Sequence, residues 1–453
     1  MRYSMPHNSF NVLDEAFFIG KVRELSHQAI DEVFKKKEKY MNKNIKLAVA
    51  GAVLALSASA ANAGIIIPAG DWTLDVNGNV NAFMNFTKLK GDSGNIYGGL
   101  AGVRASYQDN VVGLNTGLLP AWLGFTGTTR QNDTDVSFTM SMQPNVSDNN
   151  PSGDVKAPLF RQAFLTFGDK SWGTIKLGKD IGIFAQNAIL NDMTLLGVGA
   201  GAGASGASTT LGGIGSGYIY AAWKGQATYT TPNFNGFQAS VGLFNPNQTS
   251  ASYGSGADID AGNSGSSTGV AATAVQDRFG LEGSAHYAFT GDAFTGKLWV
   301  SGASYDVTWN ASGNSFRAQA ADLGATISAG NVGITAYYYT GEGVGTTIFG
   351  RQGADSSGRR RESDGGYLQA TYVLPTKTKV GLAYGRSSLD RNANDAIAAN
   401  ALVKENERVT LGLYHPLTKH LNLVAEYNDI SSSNHANNER TAKTGSLGAI
   451  LFF

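Results

Sequence analysis

The 453-residue chain contains no cysteine, so neither disulfides nor thiol chemistry contribute to its fold or its work. Charge is scarce: Asp, Glu, Lys and Arg make up 15% of residues, against about 25% in an ordinary soluble domain. The charges also cancel, 35 basic against 35 acidic, which leaves no global basic field for nucleic acid. Past the N-terminal region no run reaches the ~18 consecutive apolar residues of a transmembrane helix. What is plentiful is glycine, 58 residues, together with Ser, Thr, Asn and evenly scattered hydrophobes. That composition suits an extended β protein.

The N-terminal region speaks to compartment. "MNKNIK" (Met41 to Lys46) is basic, "LAVAGAVLAL" (Leu47 to Leu56) is apolar, and "SASAANA" ends in Ala61-Asn62-Ala63. That order is the signature of a cleaved secretory signal over 41–63, with Gly64 as the first mature residue. Residues 1–40 then precede the signal and are expected to be a misassigned start, with translation beginning at Met41. Removing 63 residues takes nine basic and six acidic residues from 35 of each, so 64–453 carries 26 against 29.

Alternation begins at once in "DWTLDVNGNVNAFMNF". Trp72, Leu74, Val76, Val80, Met84 and Phe86 share one parity, while Asp75, Asn77, Asn79, Asn81 and Asn85 share the other. A period of two with one apolar face is a strand between two different environments. Short turn signals at 130–135, 168–173, 231–236, 290–296, 328–331, 374–378 and 416–420 alternate with longer polar stretches. Those stretches lie near 87–117, 144–157, 181–222, 246–275, 309–315, 342–361, 389–404 and 431–440. Seven short and eight long connections imply sixteen strands, with short turns at one end and long loops at the other. Unpaired strand edges are too costly in lipid, so the expected fold is all-β: a closed, 16-stranded antiparallel transmembrane β-barrel. The lumen of so wide a barrel stays wet, and its inward set should be polar. Arg278, Glu282, Ser284 and His286 alternate with Phe279, Leu281, Ala285 and Tyr287, and Arg408 and Thr410 with Val409 and Leu411.

Three stretches carry a resemblance: "RQAFLTFGDKSWGTIKLGKD" (Arg161 to Asp180), "NDMTLLGVGAGAGASGASTTLGGIGSGYIY" and "GQATYTTPNFNGFQASVGLFNP". They are similar to the fourth and fifth strands, the inward-folded third loop and the next hairpin of Gram-negative general porins. The family implies a homotrimer of barrels, each with its own diffusion pore narrowed by that loop, here 181–222. Matched to the porin hairpin, Arg161 is a wall arginine facing the loop. Lys176 has inward parity, Lys179 sits where the strand enters the loop, and Asp180 and Asp192 are acids on the loop side. Arg278, Glu282 and Arg408 join them as candidate pore-lining residues.

Other chemistry is not signalled. "GAGASG" (Gly201 to Gly206) fits G-x-G-x-x-G, but a dinucleotide site needs that motif inside a βαβ unit. His286, His415, His420 and His435 lack metal-ligand spacing, so no metal, cofactor or enzymatic activity is expected. The expected function is an outer-membrane channel for passive diffusion of small hydrophilic solutes and ions. A solute-specific channel, and a structural or adhesin barrel with binding loops, are the alternatives. Expected partners are outer-membrane lipid and lipopolysaccharide, with "GRRRES" (Gly358 to Ser363) at the outer rim.

The chain closes on "TGSLGAILFF". Leu447, Ala449, Leu451 and Phe453 form an apolar row on a strand that must pair with the first to seal the barrel. In the family it resembles, the terminal aromatic also belongs to the signal read by the barrel-assembly machinery, which assigns that role to Phe453 and Leu451.

Overall fold

The computed structural model describes residues 64–92, 96–102, 109–146, 159–202, 209–245, 274–309, 313–355, 358–393, 395 and 401–453. The extension 1–40 and the signal 41–63 lie outside the described residues. Nineteen strand elements follow in order. They are β1 (Ile65–Ala69), β2 (Trp72–Gly91), β3 (Asn110–Asn115), β4 (Trp122–Gln131), β5 (Thr134–Gln143), β6 (Leu159–Asp169) and β7 (Gly173–Ile181). Next come β8 (Trp223–Thr230), β9 (Phe237–Phe244), β10 (Ala274–Val275), β11 (Gly280–Thr290), β12 (Phe294–Trp309) and β13 (Ser315–Ala329). The last are β14 (Val332–Glu342), β15 (Glu362–Val373), β16 (Lys379–Leu389), β17 (Val403–Pro416), β18 (Leu421–Asn434) and β19 (Glu439–Phe452).

All belong to one antiparallel sheet closed on itself through β19–β2 and β9–β11. Three pairs of elements are end-to-end parts of one stave, so the nineteen make a barrel of sixteen. Along β2, β19 covers Asn79 to Gly91 and β1 continues over Trp72 to Val76. On the other side of β2, β3 faces Phe83 to Lys88 and β4 faces Thr73 to Asn79. Likewise β10 and β11 both pair with β12. Inward asparagines bridge the break between β3 and β4: Asn79 and Asn81 donate to the Pro120 and Leu119 carbonyls, and Gly117 N donates to Asn81.

Closure pairs the long strands on both sides, as a sheet in lipid requires, while the short elements β1, β3 and β10 each pair on one side. The outward rows are exposed hydrophobes, among them Val80, Met84, Phe86, Leu298, Val300, Leu323, Leu411 and Leu447. Aromatic pairs mark the end with the short turns: Trp72–Phe138, Phe167–Trp172 and Phe289–Phe294. At the first turn Asn132 and Asp133 both take positive φ, 48° and 59°, as a two-residue hairpin needs and as these side chains tolerate. Among the described residues no helix is long and apolar enough to cross a membrane; the strands do the crossing.

The core lies inside the barrel. Loop 181–222 opens with the helix α1 (Gln186–Asn191) and a 3₁₀ turn at Met193–Leu196. Its residues Phe184, Ala188, Tyr218 and Ile219 are buried against inward Tyr305, Tyr337 and Tyr367 and against Phe349 of the loop after β14, and Val198 against Phe83, Tyr414 and Val424. Two more loops reach in. Leu100 and Ala101 donate to Ser432 Oγ, and Tyr220 N donates to Thr347 O.

Candidate pore constriction

A loop that crosses a lumen must satisfy its backbone amides without a sheet, because buried orphan donors cost about 1–3 kcal/mol each. Here inward side chains of the wall do this. Glu282 on β11 accepts from Ile183 N and Phe184 N at 2.7 and 2.9 Å and from Tyr305 Oη at 2.6 Å. Lys224 of β8 closes the same cluster in a short ion pair, with both side chains buried. Asp322 on β13 accepts from Ala185 N at 3.2 Å and Tyr337 Oη at 3.0 Å. Gln369 on β15 takes Met193 N and donates to Asn191 O, while Tyr367 Oη donates to Ala188 O. Glu426 on β18 accepts from Val198 N and Gly199 N at 3.0 and 2.9 Å. A Cβ at position 197 would lie 1.8 Å from Glu426 Oε1, so any larger residue here would displace the carboxylate that holds Val198 N and Gly199 N. Ser387 of β16 accepts from Gly217 N at 2.9 Å. The anchors therefore span half of the wall, from β11 to β18.

At the loop's centre, Asp192 caps the 3₁₀ turn through Thr194 N and accepts from Gly213 N and Tyr218 Oη at 3.0 and 2.8 Å. Arg408 of β17 reaches to 3.6 Å of the same carboxylate oxygen and donates to Thr410. Burial first, and then the Asp192 carboxylate, push the Tyr218 hydroxyl well above the usual phenol range, so it remains a donor.

The candidate residues fall into three groups. Glu282, Asp192 and Arg408 meet at the loop, but as buried anchors rather than solvated lumen groups. Lys176 and Asp180, four apart on β7, form an ion pair on the inward face, and Gln162 donates to Asp180. Arg161 sits at a bulge of β6 where its amide donates to Gln143. Its charge partly offsets the upward push that burial gives the Tyr220 hydroxyl. Two placements correct the sequence expectation. Lys179 pairs with Ala163 and shares the face of exposed Leu165 and Leu177, so it lies outside the lumen, its Nζ on the Phe160 carbonyl. Arg278 has the expected parity, but β11 starts only at Gly280; its exposed guanidinium lies beyond the strand, 3.6 Å from Asp306. Lys224, Asp322, Gln369 and Glu426 were missed. An inward-parity carboxylate on a strand with no cation beside it in sequence, as in "LVAEYND", is the signal that could have found Glu426.

At the seam, Gly78 and Phe453 exchange backbone hydrogen bonds of 2.8 and 3.0 Å, and Leu451 lies exposed on the outer face opposite Val80. Among the described residues there is no group of three or more His, Asp or Glu that could hold a metal ion.

Comparison with known proteins agrees with this geometry. The channel DcaP of Acinetobacter baumannii superposes with a TM-score of 0.62 at 15% identity, over 86% of this chain and 100% of that one. The anion-selective porin from Comamonas acidovorans gives 0.56 at 16% identity, over 84% of this chain and 100% of that one. Salmonella typhi OmpF gives 0.52 at 16% identity, over 85% of this chain and 100% of that one. No curated protein sequence matches. The Gram-negative porin profile matches residues 49–435, most of the chain. With a closed sixteen-stave barrel and a loop pinned across its lumen, the chain belongs to the Gram-negative porin family and is an outer-membrane channel for passive diffusion.

Proposed function

We propose that loop 181–222 constricts this channel and that small hydrophilic solutes and ions pass it by size, without a cofactor or catalysis. The observation that carries the reading is the ring of wall side chains, Glu282, Asp322, Gln369, Ser387 and Glu426, that takes up the loop's amides. A loop so held is a fixed part of the passage. Arg161, Lys176, Asp180, Asp192, Glu282 and Arg408 are assigned to its frame. Liposomes loaded with the protein should swell in neutral sugars at rates that fall smoothly with sugar size. Entry of one solute far ahead of others of its size contradicts this and favours a solute-specific channel.

The working unit is a homotrimer, in keeping with the family. The outward ends of the strands carry the pairs Arg360–Glu342, Arg386–Glu405 and Lys443–Asp429, suited to lipopolysaccharide headgroups at that level. Phe453 and Leu451 serve as the signal to the barrel-assembly machinery. Export uses the signal 41–63, cleaved after Ala63. Gly64 supports that cleavage: Asp75 Oδ1 is buried without a partner, and a Cβ at position 64 would lie 1.9 Å from it. A new α-ammonium at Gly64 would neutralise that carboxylate.

A further inference from the structure

The inward face divides its charge unevenly between groups already committed and groups left open. Among the described residues, each wall carboxylate at the level of the loop is buried or engaged through at least one oxygen, Asp322 through Oδ2 while its Oδ1 is buried without a partner. Glu282, Asp322 and Glu426 are buried and taken up by loop amides and tyrosine hydroxyls. Asp180 holds Lys176 and accepts from Gln162; Asp192 is filled by Gly213 N, Tyr218 Oη and Arg408.

Two inward lysines are left over, besides the Arg161 guanidinium that acts on Tyr220. Lys297 on β12 is half-buried, pairs in register with Thr326 of β13, and donates only to the neutral Asn187 Oδ1 at 2.6 Å. Lys379, the first residue of β16, lies 5.0 Å from the Tyr414 ring centroid. It lines a cavity of about 360 Å³ directly beneath α1 and the 3₁₀ turn, together with Asn191, Thr335, Gln369 and Thr371. Asp192 also borders this cavity but is 3% exposed. Among the described residues neither lysine has a carboxylate within ion-pair distance. Lys176 keeps 27% of its side chain exposed, while its partner Asp180 keeps 7%. Acids do reappear at the turn end, where Asp135 and Asp169 share Arg130 and border one cavity with Lys170; cations there match them.

A solute passing the loop therefore meets ammonium groups and amides, and no free carboxylate. Narrow walls of low dielectric focus the field of such groups on whatever crosses. We infer that this channel prefers small anions, and that Lys297 and Lys379 are the residues that set the preference. The inference rests on the channel reading above and adds to it the charge class of the solute.

The test is the zero-current potential of the processed protein in a planar bilayer under a KCl gradient. The expected sign is that of chloride permeating faster than potassium. Lys297→Met/Lys379→Met should lower the chloride-to-potassium permeability ratio by about five-fold, the Coulomb scale of a unit charge at contact in water. Lys297→Glu/Lys379→Glu should carry it to cation preference. A wild-type channel that favours potassium overturns the inference, and its sign is read whether or not either variant folds. A chloride preference unchanged in the double Met variant overturns the assignment to these lysines. A folded barrel that conducts nothing overturns the channel reading itself, and this inference falls with it.

Discussion

Replacing Glu282 by alanine should free the start of the constriction loop. In the native protein its Oε2 is the acceptor for both Ile183 N and Phe184 N, and its Oε1 holds Lys224 and Tyr305. The substitution leaves Lys224, 3% exposed, without its counter-ion and strands two amides in the barrel interior. Removing one partner of a buried ion pair costs about 3–5 kcal/mol. The barrel should survive, because its ladder is held by backbone hydrogen bonds that the Glu282 side chain does not make, and the loop keeps its anchors at Asp322, Gln369 and Glu426. The loss appears as local opening around 182–185. By mass-resolved hydrogen exchange, the Ile183 and Phe184 amides should exchange about a hundred-fold to several thousand-fold faster, with strand amides unchanged. The double variant Glu282→Ala/Lys224→Ala should cost less than the two single changes together, since no buried charge is then unpaired. Unaltered exchange at 183 and 184 in the single variant would refute the claim that this carboxylate holds the loop.

Three further outcomes follow. Deleting Phe453 removes the backbone pair with Gly78 at the seam and the terminal aromatic, so outer-membrane levels measured by immunoblot should fall sharply; normal levels would refute the assembly role. In the outer loops, Arg361 grips Asp395 through two side-chain hydrogen bonds. Burial raises the Asp395 carboxyl, but those bonds and the Arg361 charge outweigh it and hold it below the ordinary value. A depressed carboxyl stabilises above its unfolded pKa of about 3.9 and loses that contribution as pH falls through the folded value. Proteolysis of the loop after β16 should therefore be flat from neutral pH to about 5 and rise only in stronger acid, whereas a rise already at pH 6 would exclude this pair as the latch. Edman sequencing of the exported protein should begin at Gly64, and Asp75→Asn should lower its melting temperature; no change on substitution would leave the ammonium without a role for Asp75.

Much of the barrel was legible because a strand between lipid and lumen must alternate, and because turns and loops differ in length. The seven short turns fall where Asn-Asp, Gly and Pro clusters mark them, and loop 181–222 runs from the end of β7 to the start of β8. The break between β3 and β4 was not legible. Asn79 and Asn81 read as ordinary lumen polars, and only the fold shows them holding a backbone 41 and 38 residues away, respectively. The site was legible by residue type more than by role. Glu282 and Arg408 have the right parity, yet whether an inward charge meets water or a loop depends on contacts that span the chain, such as Glu426 with Gly199, 227 residues apart. Lys179 shows the limit of matching by motif, since one position along a strand exchanges lumen for lipid.

The account turns on the loop being a fixed partition inside the barrel. Single-channel conductance of residues 64–453, intact and with 197–217 deleted, tests that directly. The deletion removes the segment held by Glu426, Asp192 and Ser387, and the conductance step should grow. Equal steps from the two proteins would place the loop outside the conducting path and contradict the account.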